Sequence, residues 1–336
     1  MANPVITAAV LIEANGAALN NSGDPIDRAR TENTVSVKAI RAGGKKYPYV
    51  SGQAWRRWWR ETLYEDFSWM PSPVTRESKS AYTQGDPVAF ADDDIFGYMA
   101  AKKGAATQRR VSPLKNSLLV SVLPQTIEQD FAHFSRNLPV DKPDMIPFEF
   151  EHYSTYLQGA FTIALQDSGR FEMGVMRDLP DTFSADSIIV AEEFGLKVAT
   201  LPVDERRRRV SQTLRALGRL RHGANLTRNL SDVAPVAVLV GFLDGGNAPF
   251  QKLFKSVEDG SGVMLDTDRL SAVLSDYKDR MLDIETPVIF GMLPGVVANA
   301  DDIKSIDGIY HAGTAADALS AAAKIIENNG IDTVWG

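Results

Sequence analysis

Val5-Ile-Thr-Ala-Ala-Val-Leu-Ile-Glu-Ala14 is a nearly unbroken apolar run and predicts a buried strand, ended by Asn15-Gly16 and by the turn-rich Asn20-Asn-Ser-Gly-Asp-Pro25. A polar loop follows, then Thr34-Val-Ser-Val-Lys-Ala-Ile-Arg41 alternates as a second strand, and Gly43-Gly44 turns into the β-like Tyr47-Val50. The period then changes from two to 3.6. Trp55, Trp58, Trp59 and Leu63 fall at i, i+3, i+4 and i+8 on one face of a helix, while Gln53, Arg56 and Arg60 fall at i, i+3 and i+7 on another. Ser51 is a good N-cap for this helix, whose free first-turn amides attract anions. Arg56 and Arg57 near that positive end are mildly unfavourable unless an anion sits there. Taken alone, the arginines read first as the solvated side of an amphipathic helix.

Residues 66–112 carry Pro71, Pro73, Gly85, Pro87 and many small polar residues, and predict an irregular excursion rather than a core layer. Ser112-Val122 predicts a core strand. Residues 123–152 are broken by Pro124, Pro139, Pro143 and Pro147 and carry Phe131, Phe134, Phe148 and Phe150, as in a projecting hairpin. Strand character returns from Ser154 to Leu165. Glu205-Arg221 predicts a second basic helix, with Val210, Leu214 and Leu217 on one side and Arg208, Ser211, Arg215 and Arg219 on another. Pro235-Val240 predicts a strand, a helix is expected from about residue 250, Pro287-Gly291 is apolar, and Thr314-Asn329 reads as a capped helix ended by Gly330.

Charge changes this picture because it is uneven. Residues 241–336 hold 7 Lys and Arg against 15 Asp and Glu, so the other 240 residues are balanced at 29 against 28 despite a net charge of −7. A local basic surface is therefore compatible with an acidic chain. Cysteine is absent, which excludes a disulfide framework, a thiolate metal site and a cysteine nucleophile. The N-terminus lacks a basic leader and no apolar run is long enough to span a bilayer, so the expectation is a cytoplasmic protein without a membrane partner.

Candidate catalytic chemistry is sparse. His133, His152, His222 and His311 are scattered, and no paired-histidine, nucleophile-elbow or phosphate-loop motif is present. Asp92-Asp93-Asp94 is expected to be a cap with solvated charges. Asp24 and Asp27 share a polar loop but have no second acidic cluster, so neither a metal nor another cofactor is expected. The basic segments 38–60, 102–115 and 206–228 are more informative as a set, since clustered arginines supply phosphate contacts that hold a polynucleotide without reading its sequence. Tyr47, Tyr49 and Tyr98 could stack on bases, with core packing as the plainer role.

Several motifs occur in a fixed order: Asn20-Asn21, Val50-Ser-Gly-Gln-x-x-Arg-Arg-x-x-Arg60, Asp94-Ile-Phe-Gly-Tyr-Met99, Ser112-Pro-Leu-Lys-Asn-Ser117, Arg136-Asn-Leu-Pro139 and Gly223-Ala-Asn-Leu-Thr-Arg-Asn-Leu-Ser-Asp232. Together they resemble the DevR-type backbone subunit of CRISPR Cascade complexes, the "Cas seven" group of type I-B systems. The resemblance implies an α+β fold: a modified RRM-like (ferredoxin-like) palm at 1–65, 112–122 and 153–250, a finger insertion at 66–111, a thumb hairpin at 123–152, and a C-terminal part, 251–336, completing or flanking the palm.

It also implies that Ser51, Gln53, Arg56 and Arg60 grip guide-RNA phosphates, with Arg57 on the same helix, Lys38 and Arg41 beside it, and Asn20 and Asn21 after the first strand. Gly223, Asn225 and Arg228 of the glycine loop join them, with Arg221, His222, Lys102 and Lys115 completing the expected RNA-binding set. The implied partners are crRNA, target DNA through the guide, neighbouring copies in a filament, and the large, small and repeat-end-capping Cascade subunits. The expectation is a subunit that is not an enzyme. Two alternatives stand beside it: a metal-dependent RNA-cleaving backbone subunit as in type III complexes, using Asp24 or Asp27, and a transcriptional autoregulator binding duplex DNA.

Overall fold

One long strand, Pro4–Ala17, lies in the middle of the main sheet and pairs antiparallel on both sides. The structure is a computed structural model describing residues 3–22, 34–77, 80–101, 107–134, 145–328 and 335. From one edge the sheet runs Tyr310–His311, Val288–Met292, Pro235–Asp244, Pro4–Ala17, Ile146–Ala164, Leu119–Ser121, Lys45–Val50 and Ala39–Ala42. The fold is α+β with a large mixed sheet; Tyr310–His311 pairs parallel and its neighbours along this path pair antiparallel.

Alternation decides what covers each face. Ile6, Ala8, Val10, Ile12 and Ala14 of the first strand pack with Trp55, Trp58, Trp59 and Leu63, with Val210, Leu214 and Leu217, and with Leu319, Ala322 and Ile326. These come from three helices, Gly52–Phe67, Val203–Leu217 and Ala315–Glu327. Ala9 and Leu11 face the other way, onto Phe250, Phe254, Val263, Leu265 and Leu270. Burial on both faces is why the strand reads as a continuous apolar run rather than an alternating one.

The tryptophan face is the anchor its spacing predicts. Trp55 and Trp59 are fully buried with ring centroids 5.8 Å apart. Each indole N–H is satisfied: Trp55 Nε1 donates to Ser117 O at 2.9 Å and Trp59 Nε1 to Thr213 O at 2.8 Å.

The arginine helix differs from its predicted role as a basic surface. Arg206 and Arg209 are buried, Arg206 donating to the Ser168, Gln166 and Trp335 carbonyls, and Arg209 to the Pro87 and Val88 carbonyls and to Asp94. Arg208 pairs with Glu205, and Arg215 with Glu327. Helical spacing cannot distinguish a guanidinium facing water from one facing a carboxylate supplied by a distant segment.

That carboxylate comes from the aspartate run, which is buried rather than solvated. Asp92, Asp93 and Asp94 lie in the helix Ala91–Phe96. Asp94 accepts from Arg209 at 2.8 Å, from Arg110, and from the Gly169 amide. Asp93 accepts from Ser72 Oγ and from the Gly85 and Asp86 amides, and Asp92 from Tyr64 Oη and the Ser72 amide. Asp94 thus neutralises buried Arg110 and Arg209, and the Arg209 pair ties the 66–111 segment to the helix Val203–Leu217.

Other boundaries move. Thr34–Arg41 splits into Thr34–Val35 and Ala39–Ala42, because Val37 bridges Asn21 instead of continuing the ladder. Ser112–Val122 contains two short strands, Leu114–Asn116 and Leu119–Ser121, rather than one. The helix expected from about residue 250 starts at Thr267, after the hairpin formed by Phe254–Ser256 and Val263–Leu265. The range 153–250 also holds a separate three-stranded sheet, Arg170–Glu172, Leu196–Thr200 and Ile189–Glu193. Glu128–Phe134 pairs antiparallel with Ile146–His152, and the second of these strands continues without a break into the main sheet to Ala164.

Candidate nucleic-acid interface

Three segments meet at the start of the tryptophan helix. Ser51 caps it, its Oγ accepting the Ala54 N–H at 3.3 Å. The Ser51 N–H donates to Asn20 Oδ1 at 2.9 Å, and the Lys38 N–H to Asn20 O at 2.9 Å, so Asn20 fastens the exit of the first strand to both neighbouring segments. Gly52 lies under Asn116, whose Nδ2 donates to Gly52 O at 3.2 Å; a Cβ at Gly52 would stand 3.3 Å from that amide. The Gly52 and Gln53 amides have no helical acceptor, and Gln53 is exposed beside them.

The glycine loop comes third. His222, Gly223 and Asn225 have positive φ, at 84°, 133° and 60°. Gly223 is needed sterically as well, since a Cβ there would meet Leu19 at 3.0 Å. Asn225 Nδ2 donates to Ala18 O and to Asn21 Oδ1, both at 3.0 Å, and the Ala224 amide donates to Leu19 O. The loop is thus laced along residues 18–21.

The sequence-predicted residues therefore divide by what already occupies them. Asn20 and Asn21 spend their side-chain oxygens inside the protein, on the Ser51 amide and Asn225 Nδ2, and Asn225 spends both ends of its amide. Arg56 does the same: Nη1 donates to Leu114 O at 2.7 Å and Asn116 Oδ1 at 3.0 Å, and Nη2 to Phe96 O at 2.6 Å and Ser112 Oγ at 3.0 Å. Burial, then the nearby Arg60 charge, lowers its pKa to about 10. Arg56 is thus a strut between the helix and residues 96–116. Arg60 lies over the Phe96 ring at 4.4 Å, its pKa lowered by burial.

Arg221 pairs with Glu65 and Asp66, and His222 lies 3.6 Å from Glu61 and 3.3 Å from Glu65. Arg41, Lys115 and Arg228 are exposed, Lys38 is half-buried, and Arg57 is 76% exposed with Glu61 as its partner. Lys102, Asp24, Asp27 and the Arg136-Pro139 motif lie outside the described residues. Tyr47 and Tyr49 are half-buried, whereas Tyr98 donates its hydroxyl to Asp178 O.

Sequence reasoning missed Phe150, over whose ring Arg228 lies, and Asn116, which clamps the helix start. Phe148 and Phe150 alternate with Glu149, which signals one shared strand face; nothing local signals which loop reaches it. Among the described residues no group of three or more metal-ligating side chains occurs, and no helix is long and apolar enough to cross a membrane.

Comparison with known proteins adds two findings. The sequence model of one family, CRISPR-associated negative auto-regulator DevR/Csa2, matches residues 8–259. A solved structure described as "CRISPR RNA-guided surveillance complex, pre-nicking" contains a chain with a TM-score of 0.56 and 10% identity, over 96% of this chain and all of the other. Another, "CRISPR RNA-guided surveillance complex", gives 0.50 and 14%, over 95% of this chain and 98% of the other. No curated protein matches the chain.

Proposed function

The chain belongs to the DevR/Csa2 family of CRISPR-associated proteins, and from that premise we propose that it is a guide-RNA-binding backbone subunit of a type I-B Cascade effector. Copies polymerise along the crRNA spacer and present it to target DNA. The observation that carries this reading is the convergence just described: the amide-laced loop 18–22, the capped helix start and the glycine loop form one edge, with Gln53, Lys38, Lys115 and Arg228 beside it. Backbone amides and cations at such an edge suit phosphate and ribose, leaving base edges free for pairing.

The strand order supports an RRM-like palm in this reading. Strands Pro235–Asp244, Pro4–Ala17, Ile146–Ala164 and Leu119–Ser121 are adjacent in that order, and the helices Gly52–Phe67 and Val203–Leu217 pack into the core on one face. A head-to-tail contact that does not close generates the filament. Large, small and repeat-end-capping subunits complete the assembly in the cytoplasm. The chain holds its guide and does not cut RNA.

The test is purification from the native host with sequencing of bound RNA. A small repeat-derived RNA is expected; its absence overturns the reading. The family description as a negative auto-regulator favours a second reading, binding of duplex DNA. A salt series comparing single-stranded RNA with duplex separates the two, and sequence-specific preference for duplex selects the second.

A further inference from the structure

Arg228 is held in an unusual way for an exposed cation. Its Cζ lies 3.5 Å from the centre of the Phe150 ring, and Phe150 in turn stacks on Phe148 with centroids 6.1 Å apart and planes 4° from parallel. In its own plane the guanidinium is tied by Nη2 donating to Asn225 Oδ1 at 2.7 Å. Asn225 sits at φ 60° and donates both to Ala18 O and to Asn21 Oδ1. The Arg228 and Asn229 amides donate to Asn225 O, and Asn229 Nδ2 to Gly16 O.

A face contact and an in-plane hydrogen bond together fix the plane of the group. One face is spent on Phe150, while the residue as a whole remains exposed. The result is a flat, preorganised cationic shelf at the base of the projecting hairpin, linked through Asn225 and Asn21 to the edge of the RNA path. A phosphate contact needs charge and donors at the edge of the guanidinium and makes no use of an aromatic ring behind it. A locked plane on an aromatic column is what a nucleobase needs, since bases stack on guanidinium and aromatic faces irrespective of sequence.

We propose that the outer face of Arg228 is a stacking site for one base of the bound single-stranded RNA, extending the Phe148–Phe150–Arg228 column. This rests on the RNA-binding reading above. The base is held by its π face, with no hydrogen bond to its Watson–Crick edge, so the site accepts any spacer.

The experiment measures binding of full-length protein to a 30-nucleotide oligoadenylate across a salt series, with folding checked by circular dichroism. Arg228→Lys keeps the charge and loses the plane; Phe150→Leu keeps an apolar strand residue and loses the ring. Each variant is expected to weaken binding by roughly 5-fold or more while the slope of log K against log salt stays at the wild-type value. Wild-type affinity in Arg228→Lys, with the slope reduced by about one in Arg228→Ala, identifies a phosphate contact and overturns the stack alone. Failure of the wild-type chain to bind the RNA overturns the underlying reading as well.

Discussion

Asn20 Oδ1 accepts the Ser51 N–H at 2.9 Å across 31 residues of sequence, joining the end of the first strand to the N-cap of the tryptophan helix. The same residue's carbonyl holds Lys38. Asn20→Ala is expected to cost about 1–2 kcal/mol in urea unfolding, because the Ser51 amide loses its acceptor in a half-buried site. Asn20→Asp keeps an acceptor and adds a charge favourable to the helix dipole, so its stability stays near wild type. Its RNA binding falls, since the new carboxylate repels phosphate. Equal RNA affinity in Asn20→Asp and wild type would remove phosphate from this edge.

Arg56 is predicted to matter for stability before it matters for binding. Its four hydrogen bonds reach residues 96, 112, 114 and 116, and no lysine can reproduce that fork. Arg56→Lys should lower stability by about 3 kcal/mol, through buried carbonyls left without donors. Arg57→Ala, one residue away but exposed, should stay within about 0.5 kcal/mol of wild type. Chemical denaturation of the two variants side by side checks the contrast.

Asp94 neutralises two guanidinium groups that are themselves almost fully buried. Asp94→Asn leaves Arg110 and Arg209 with one carboxylate fewer in the core, an expected loss of about 3–5 kcal/mol. A thermal midpoint within a few degrees of wild type would show that water reaches this cluster.

Glu151, at the base of the hairpin, accepts the Val37 N–H at 2.9 Å, and burial raises its pKa above the ordinary carboxylate value. The folded chain therefore binds this proton more tightly than the unfolded chain, so stability falls as pH rises through the window from the ordinary value to the raised one. Glu151→Gln keeps an acceptor for Val37 and removes the charge. The variant should equal or exceed wild-type stability at pH 7, with the difference shrinking below about pH 4. Thermal unfolding at the two pH values measures it, and a less stable variant at pH 7 would contradict the sign.

The first strand, the tryptophan helix and the hairpin were legible because their signals are local: an apolar run, a 3.6-residue period, and prolines flanking alternating aromatics. The ion-paired core was not. Asp94 is paired with Arg110 and Arg209, 16 and 115 residues away, and neither distance leaves a trace in periodicity. The same limit applies to the interface. Ser51 as N-cap was readable from residue type, and Gly223 from the turn it makes. The division between Arg56, whose donors are consumed internally, and exposed Lys115 and Arg228 depends on which carbonyls the 96–116 segment brings to the helix.

The strand Ile146–Ala164 belongs to two structures at once. Residues 146–152 form half of the projecting hairpin, and residues 153–164 pair with the first strand from Ala17 to Val5. At about 3.3 Å per residue its 19 residues span roughly 60 Å, and the register with the first strand shifts between Ala14 and Ala17, opposite Thr155 and Tyr153, where the hairpin leaves the sheet. The hairpin and the main sheet therefore share one backbone, and the direction in which the hairpin leaves is tied to the pairing of residues 153–164 with the first strand.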